Sequence, residues 1–327
     1  MVRDRPRPWP RAGAVVLMVA IGSVGFVGCS RPHGGHPGAT ASTTTAPQGG
    51  TRSAPTVSNP GRGPRRILRF ALEAGTVRNV TVTTHLSVNQ KGAGAASVVD
   101  PPAVRQTIRF RVLSADSQGA RIGFRVLAAV VDPAGISLTP ADALTLDSEL
   151  RLLTGLSGDG HLSPDGRFTG IHLGLPASLD ARVRIVARAL PDQLAALTPR
   201  LPQEPVGAGA SWATDDTTSV DGVAVRQQVT YVVTAIAGPI VTFRSRTIAT
   251  IGRQPLTSAD LPPGTTAMIE SGRLTGSATG TLDLTSPVST LDASLAGTQH
   301  VTVSHRKMAP QPVTQVVTTA TTVRLAR

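Results

Sequence analysis

The sequence predicts a mainly β (α+β) domain: a curved antiparallel sheet or half-barrel, with one or two helices packed against it. Three features carry that expectation. Apolar and polar residues alternate over long stretches, turn residues separate those stretches, and the pattern recurs 121 residues further along the chain. Alternation with a period of two puts one side of a strand in a core and the other in water.

The N-terminus reads differently. Arg3, Arg5, Arg7 and Arg11 outweigh Asp4, and residues 12–28 are uncharged and rich in Val, Ala, Ile, Leu and Met. A basic stretch followed by a short apolar one is the pattern of a secretory signal. At about seventeen residues it is short for a spanning helix. Phe26-Val27-Gly28-Cys29 resembles the bacterial lipobox, matching its last three positions and carrying Phe26 where Leu is usual. The resemblance implies that residues 1–28 are a lipoprotein signal peptide. It makes Cys29 the lipid-attachment residue, the first of the mature protein, held at the extracytoplasmic face of the bacterial membrane. Small Gly28 gives a peptidase access to the bond, and the thiol takes the diacylglycerol. One acyl chain binds membranes weakly, whereas two or three hold firmly. An uncleaved signal anchor with an incidental Cys29 is the competing reading.

Cys29 is the only cysteine, so an intramolecular disulfide and a thiolate metal cluster are both excluded. No cofactor is expected. Removing four Arg and one Asp with residues 1–28 takes the formal charge from +12 to +9, still almost all arginine. Nucleic-acid binding calls for basic clusters interleaved with aromatics. Aromatics are 3% here and the arginines are spread, so a solvated basic surface beside an anionic membrane or cell wall is expected instead.

Residues 29–64 are expected to be the lipidated Cys and a disordered linker, since Gly, Pro, Ser and Thr dominate without apolar periodicity. His33 and His36 lie in it as an incidental HGGH. Residues 65–327 form the β-rich domain. Ile108, Phe110 and Val112 alternate with Thr107, Arg109 and Arg111, and Ile122, Phe124, Val126, Ala128 and Val130 continue on one face. Asp116-Ser117-Gln118-Gly119 supplies the turn between them. A helix is expected at Pro140–Leu153, with Thr139 as N-cap and Pro140 at the first helical position. A hairpin follows over Gly160–Leu173 around Ser163-Pro164-Asp165-Gly166. Leu179, Val183, Val186, Leu190, Leu194 and Leu197 then keep helical spacing, with Pro191 kinking or dividing the helix. Further strands are expected near 211–235, 240–252, 268–285, 289–304 and 312–325.

Val104-Arg105-Gln106 recurs as Val225-Arg226-Gln227, and Ile108, Phe110 and Val112 fall on Val229, Tyr231 and Val233 without a gap. Two duplicated β halves, about 65–175 and 209–327, are the expected organisation. Between them lies Leu201-Pro202-Gln203-Glu204-Pro205-Val206-Gly207-Ala208-Gly209-Ala210-Ser211-Trp212. It resembles the "LP-x-x-PV-x-x-G-x-x-W" junction of a family of uncharacterised bacterial envelope lipoproteins, at Leu201, Pro202, Pro205, Val206, Gly209 and Trp212. The family implies an exported β-rich domain and no activity. The residues themselves read as structural: prolines stiffening a connection, Gly209 permitting a turn and Trp212 filling the core. Ligand stacking by Trp212 is the sharper alternative.

No nucleophile elbow, phosphate loop or HExxH is present. Asp215-Asp216 reads as part of a solvated turn, and His161 and His172 flank a hairpin without facing one another. No enzyme is expected. The expected function is a membrane-anchored, non-enzymatic envelope lipoprotein binding an apolar or lipid ligand in a β-sheet groove. The alternative is a structural or protein-interaction lipoprotein without a ligand cavity.

Overall fold

The computed structural model describes residues 53–92, 95–132, 140–175, 194–195, 197–220, 223–256, 261, 264–305 and 308–326. Among them the elements are β1 (Thr56–Asn59), β2 (Arg62–Arg66), β3 (Val77–Gly92), β4 (Ala95–Val99), β5 (Val104–Asp116) and β6 (Gly119–Val131). There follow α1 (Pro140–Arg151), β7 (Ser157–Leu162), β8 (Phe168–Gly174), β9 (Val206–Ala208), β10 (Ser211–Val220) and β11 (Val223–Ala237). The chain ends with β12 (Ile240–Ile251), β13 (Gln254–Leu256), β14 (Thr265–Asp283), β15 (Thr290–His305) and β16 (Met308–Leu325).

One antiparallel sheet runs β1-β10-β11-β12-β14-β15-β16-β3-β5-β6-β7-β8, with β4 added to β3 and β13 to β14. It curves without closing, and β1 and β8 are its edges. The mainly β expectation holds. Alternation is the cause: β5 buries Val104, Gln106, Ile108, Phe110 and Val112, and exposes Arg105, Arg109 and Arg111. The turn Asp116–Gly119 closes β5 on β6 as the sequence indicated. In β6 the buried set changes parity after Val126, so that Ala129 is buried and Ala128 and Val130 are not. The extra residue Leu127 explains it, because Thr107 faces Ala128 while Ile108 faces Val126. A bulge of one residue turns every later side chain over.

Three apolar clusters lie on the concave side. One joins Leu68, Phe70, Phe110, Phe124, Leu162, Leu197, Leu201, Trp212, Phe243 and Leu282, drawing on both ends of the sheet. A second gathers Leu86, Val88, Val225, Ile251, Ile269, Leu274 and Val301 at the other end of the strands. The third packs Leu146, Leu150, Leu153 and Leu156 against Val104, Val126 and Ala129, so α1 lies on the concave side. The gap between edges is bridged by main chain. Phe70 N–H donates to Pro164 O at 2.9 Å, Ala71 N–H to Leu284 O at 2.8 Å and Leu201 N–H to Asp165 O at 2.8 Å.

Several expectations change. The linker ends earlier than residue 64: Val57 faces Trp212 across β1–β10, and β2 pairs with β9. The polar composition of 53–66 misled because an edge strand needs few apolar residues. The segment near 211–235 is two strands, β10 and β11, paired from Ser211–Val232 to Val220–Val223. Asp215 and Asp216 therefore lie in a strand and not in a turn. The helix at Pro140 is present and ends at Arg151, while its N-cap Thr139 lies outside the described residues. So do Cys29, the HGGH pair and most of the Leu179–Leu197 stripe, of which Leu194 and Leu197 are buried in the first cluster.

Two hairpins of the sheet correspond at an offset of 121 residues. From Ile108–Val126 to its turn, the β5–β6 hairpin has the register of β11–β12: Val112 faces Ile122 and Val233 faces Phe243; Asp116 faces Gly119 and Ala237 faces Ile240. Each has a one-residue bulge at the corresponding position, Leu113 and Thr234. Outward from these hairpins, β3 corresponds to β10, β7 to β14 and β8 to β15, with matched partners such as Asp159–His172 and Thr279–Asp292.

Candidate functional site

The concave face of the second half is the candidate site. Cross-strand register places Tyr231, Ser245, Ala278 and Ala293 in one row beside Trp212, continuing through Thr321 to Thr84. The neighbouring rows add Val229, Thr247 and Gly276 on one side, and Phe243, Gly280 and Leu291 on the other. All of these except Trp212, Phe243, Thr84 and Thr321 are half-buried. Concave residues of the first half, among them Val80, Val82, Thr84, Ile108 and Ile122, are buried outright. Along β14 the concave positions read Gly272, Leu274, Gly276, Ala278, Gly280, so this wall has little side-chain bulk.

Trp212 closes one end of this wall. Its ring stacks on Tyr231 with centroids 5.4 Å apart and planes at 20°, and Tyr231 meets Phe243 edge-on at 5.9 Å. The indole Nε1–H donates to Arg200 O at 2.9 Å, which satisfies the one polar atom of a buried ring. Gly209 has φ 77°, a conformation that costs glycine little. It ends β9 so that Trp212 enters the core. The junction motif thus folds back on itself, and Leu201, Val206, Ala210 and Trp212 are all buried. Ring stacking inside the core is the role the geometry gives Trp212.

Arg200 Nη1 donates to Asp216 Oδ1 at 2.8 Å, with the two side chains only 10% and 21% exposed. Arg200 also donates to the carbonyl of Ser53. Burial, and then the Asp216 carboxylate, push the Tyr231 phenol well above the ordinary tyrosine range, with Arg200 opposing. Asp215 points the other way and takes two bonds from Arg226, at 3.0 and 2.5 Å. The adjacent carboxylates diverge, as neighbours on a strand must, and form no acid pair.

His161 and His172 do not face each other. His161 pairs with Thr169 and His172 with Asp159. No group of three His, Cys, Asp or Glu suited to a metal occurs among the described residues. The Arg200–Asp216 pair carries no signal in the sequence, because one partner lies in a loop and the other in a strand. The small-residue wall does have a readable signal, Gly276, Ala278 and Gly280 at alternate positions of one strand.

Two open depressions lie outside this wall. One of about 400 Å³ is lined by Phe70, Leu72, Glu73, Asp116, Gly119 and Leu162. The other, about 370 Å³, is lined by Thr217, Arg226, Thr250, Arg253 and Gln254. No helix among the described residues is long and apolar enough to cross a membrane.

No family model and no curated protein matches the chain. Among solved structures, an outer membrane channel of Pseudomonas putida F1 aligns over 78% of this chain and 97% of its own, at 9% identity and TM-score 0.20. OccK8 (OprE) of Pseudomonas aeruginosa aligns over 78% and 100%, at 6% identity and TM-score 0.21. Ail, the attachment invasion locus protein of Yersinia pestis, aligns over 77% and 100%, at 7% identity and TM-score 0.11.

Proposed function

We propose that this chain is a lipid-anchored, non-enzymatic protein of the bacterial cell envelope that binds an apolar or lipid ligand against the concave face of β11, β12, β14 and β15. The half-buried wall of Tyr231, Ser245, Ala278, Gly280, Leu291 and Ala293 carries the ligand reading. It is concave, largely apolar and offers a few polar groups, the general make-up of a small-molecule site. The anchor rests on Cys29 and the apolar run before it. The packed cluster favours the second reading, a structural or interaction protein with no ligand, because Leu68, Phe70, Leu194, Leu197 and Leu201 join residues from both ends of the sheet in one core.

Mass spectrometry of the chain purified from membranes distinguishes the two. A defined lipid should co-purify with wild type and be lost from Ala278→Leu and Ala293→Leu, which fill the wall, while circular dichroism stays unchanged. A chain that purifies without any bound lipid overturns the ligand reading. Cys29→Ala should abolish acyl labelling in cells; a wild type that takes up no label overturns the anchor.

A further inference from the structure

The convex face of β5 and β6 carries Arg105, Arg109, Arg111, Arg121 and Arg125, all exposed. Arg109 and Arg125 stand directly opposite each other, an arrangement that costs a sheet stability. Arg121 is paired with Asp159 at 2.8 Å, and Arg109 donates to Asn79 Oδ1 at 3.1 Å. Among the described residues Arg105, Arg111 and Arg125 have no ion pair. Two exposed apolar side chains share the face. Val77, 43% exposed, lies opposite Arg111, and Leu113, 45% exposed, covers Gly123 between Arg121 and Arg125.

The scaffold does not ask for this charge. In the β11–β12 hairpin, the positions of Arg109, Arg111 and Arg121 hold Thr230, Val232 and Thr242, in the same register and beside the same bulge. At these three positions β11 and β12 manage with neutral residues, while Arg226 and Arg246 keep the positions of Arg105 and Arg125, so the excess of cations on β5 and β6 lies at Arg109, Arg111 and Arg121. We propose that this face is a docking surface for an anionic phospholipid membrane, which it meets side-on. The proposal rests on the reading of the chain as membrane-anchored. Guanidinium groups pair with lipid phosphates in two-pronged fashion, and polybasic surfaces next to a membrane gain from its negative potential. Val77 and Leu113 favour a lipid interface over a purely polar polyanion, because exposed apolar side chains amid cations gain by entering the headgroup layer.

The test uses the mature chain, residues 29–327, carrying Cys29→Ala so that no acyl anchor contributes, and retaining every described residue. It should bind vesicles of phosphatidylcholine mixed with phosphatidylglycerol and not vesicles of phosphatidylcholine alone. The triple variant Arg109→Thr, Arg111→Val, Arg121→Thr copies the other half of the sheet and should bind on the order of a hundredfold more weakly. Arg244→Ser, Arg246→Ser, Arg273→Ser removes as much charge from the second half and should bind as the parent does. Equal loss in both triples, undiminished binding by the first, or equal binding to a soluble anionic polysaccharide overturns the proposal. Unchanged melting of both triples shows that the comparison is between folded proteins. Acyl labelling at Cys29 is scored separately, so a chain that is labelled in cells and fails to bind vesicles loses the docking surface alone.

Discussion

Tyr231 is the only tyrosine in the chain, and it sits where its phenolate would be least welcome. Burial and the nearby Asp216 carboxylate both oppose ionisation, and Arg200 offsets them only in part. A phenol whose folded pKa is raised ionises more readily in the unfolded chain, so it contributes stability that is full below the ordinary value near 10. That contribution falls as pH rises from there toward the folded value. Tyrosinate absorbance should therefore stay absent in the native protein past pH 10, and then appear together with the loss of far-ultraviolet circular dichroism. A phenolate signal rising near pH 10 while the sheet persists would show that Tyr231 meets solvent. At this scale the sequence was partly legible. Trp212 was readable as a core residue, since a single large ring after a Pro- and Gly-stiffened junction has few other uses. Its acceptor, the Arg200 carbonyl, was not readable, because main-chain partners carry no residue signature.

Hairpins were the most legible elements and their irregularities the least. Asp116 to Gly119 announced the β5–β6 turn, and Ser163 to Gly166 announced β7–β8. In the second turn burial tends to raise the Asp165 pKa, but the Ser163 hydroxyl and Arg167 prevail and hold the carboxyl below its usual range. The bulge at Leu127 left no mark in composition, and it decides which of Ala128 and Ala129 is buried. Glycine requirements follow the same division. Gly119 has φ 135°, and a Cβ there would lie 2.3 Å from the Leu162 carbonyl oxygen of the adjacent strand. Gly119→Ala should cost about 1–3 kcal/mol in strain alone, with the clash adding to it. Gly170, at φ 58° with open space around it, provides the contrast: Gly170→Ala should cost about 1 kcal/mol. Urea denaturation of the two variants checks the order, and equal costs would mean that the hairpin shifts to relieve the contact.

On the scale of the molecule, the two halves of the sheet are joined along one seam, β15–β16–β3. The last strand of the chain completes the first half, while β1, near the start of the described chain, flanks β10 in the second. Matching alternation at an offset of 121 made the corresponding registers of the β5–β6 and β11–β12 turns legible. This exchange of flanking strands was not, because pairing partners far apart in sequence leave no local pattern. The seam has a polar lock. Gln299 donates to Gln315, and Gln315 to Gln90 at 3.2 Å, with Gln299 and Gln315 fully buried in the apolar end of the sheet. Shifting β16 by one residue would move Gln315 to the convex face and leave its partners unpaired, so the ladder fixes register. Thr318 lies on the convex side of the same strand, between Ala296 and Ser87. Thr318→Pro removes a ladder donor from a strand paired on both sides and should destabilise by roughly 3 kcal/mol or more. Since β16 links the halves, backbone amides of β5–β6 and β11–β12 should lose hydrogen-exchange protection together in this variant. Retention of protection in one hairpin while the other exchanges would show that each half of the sheet is a separate cooperative unit.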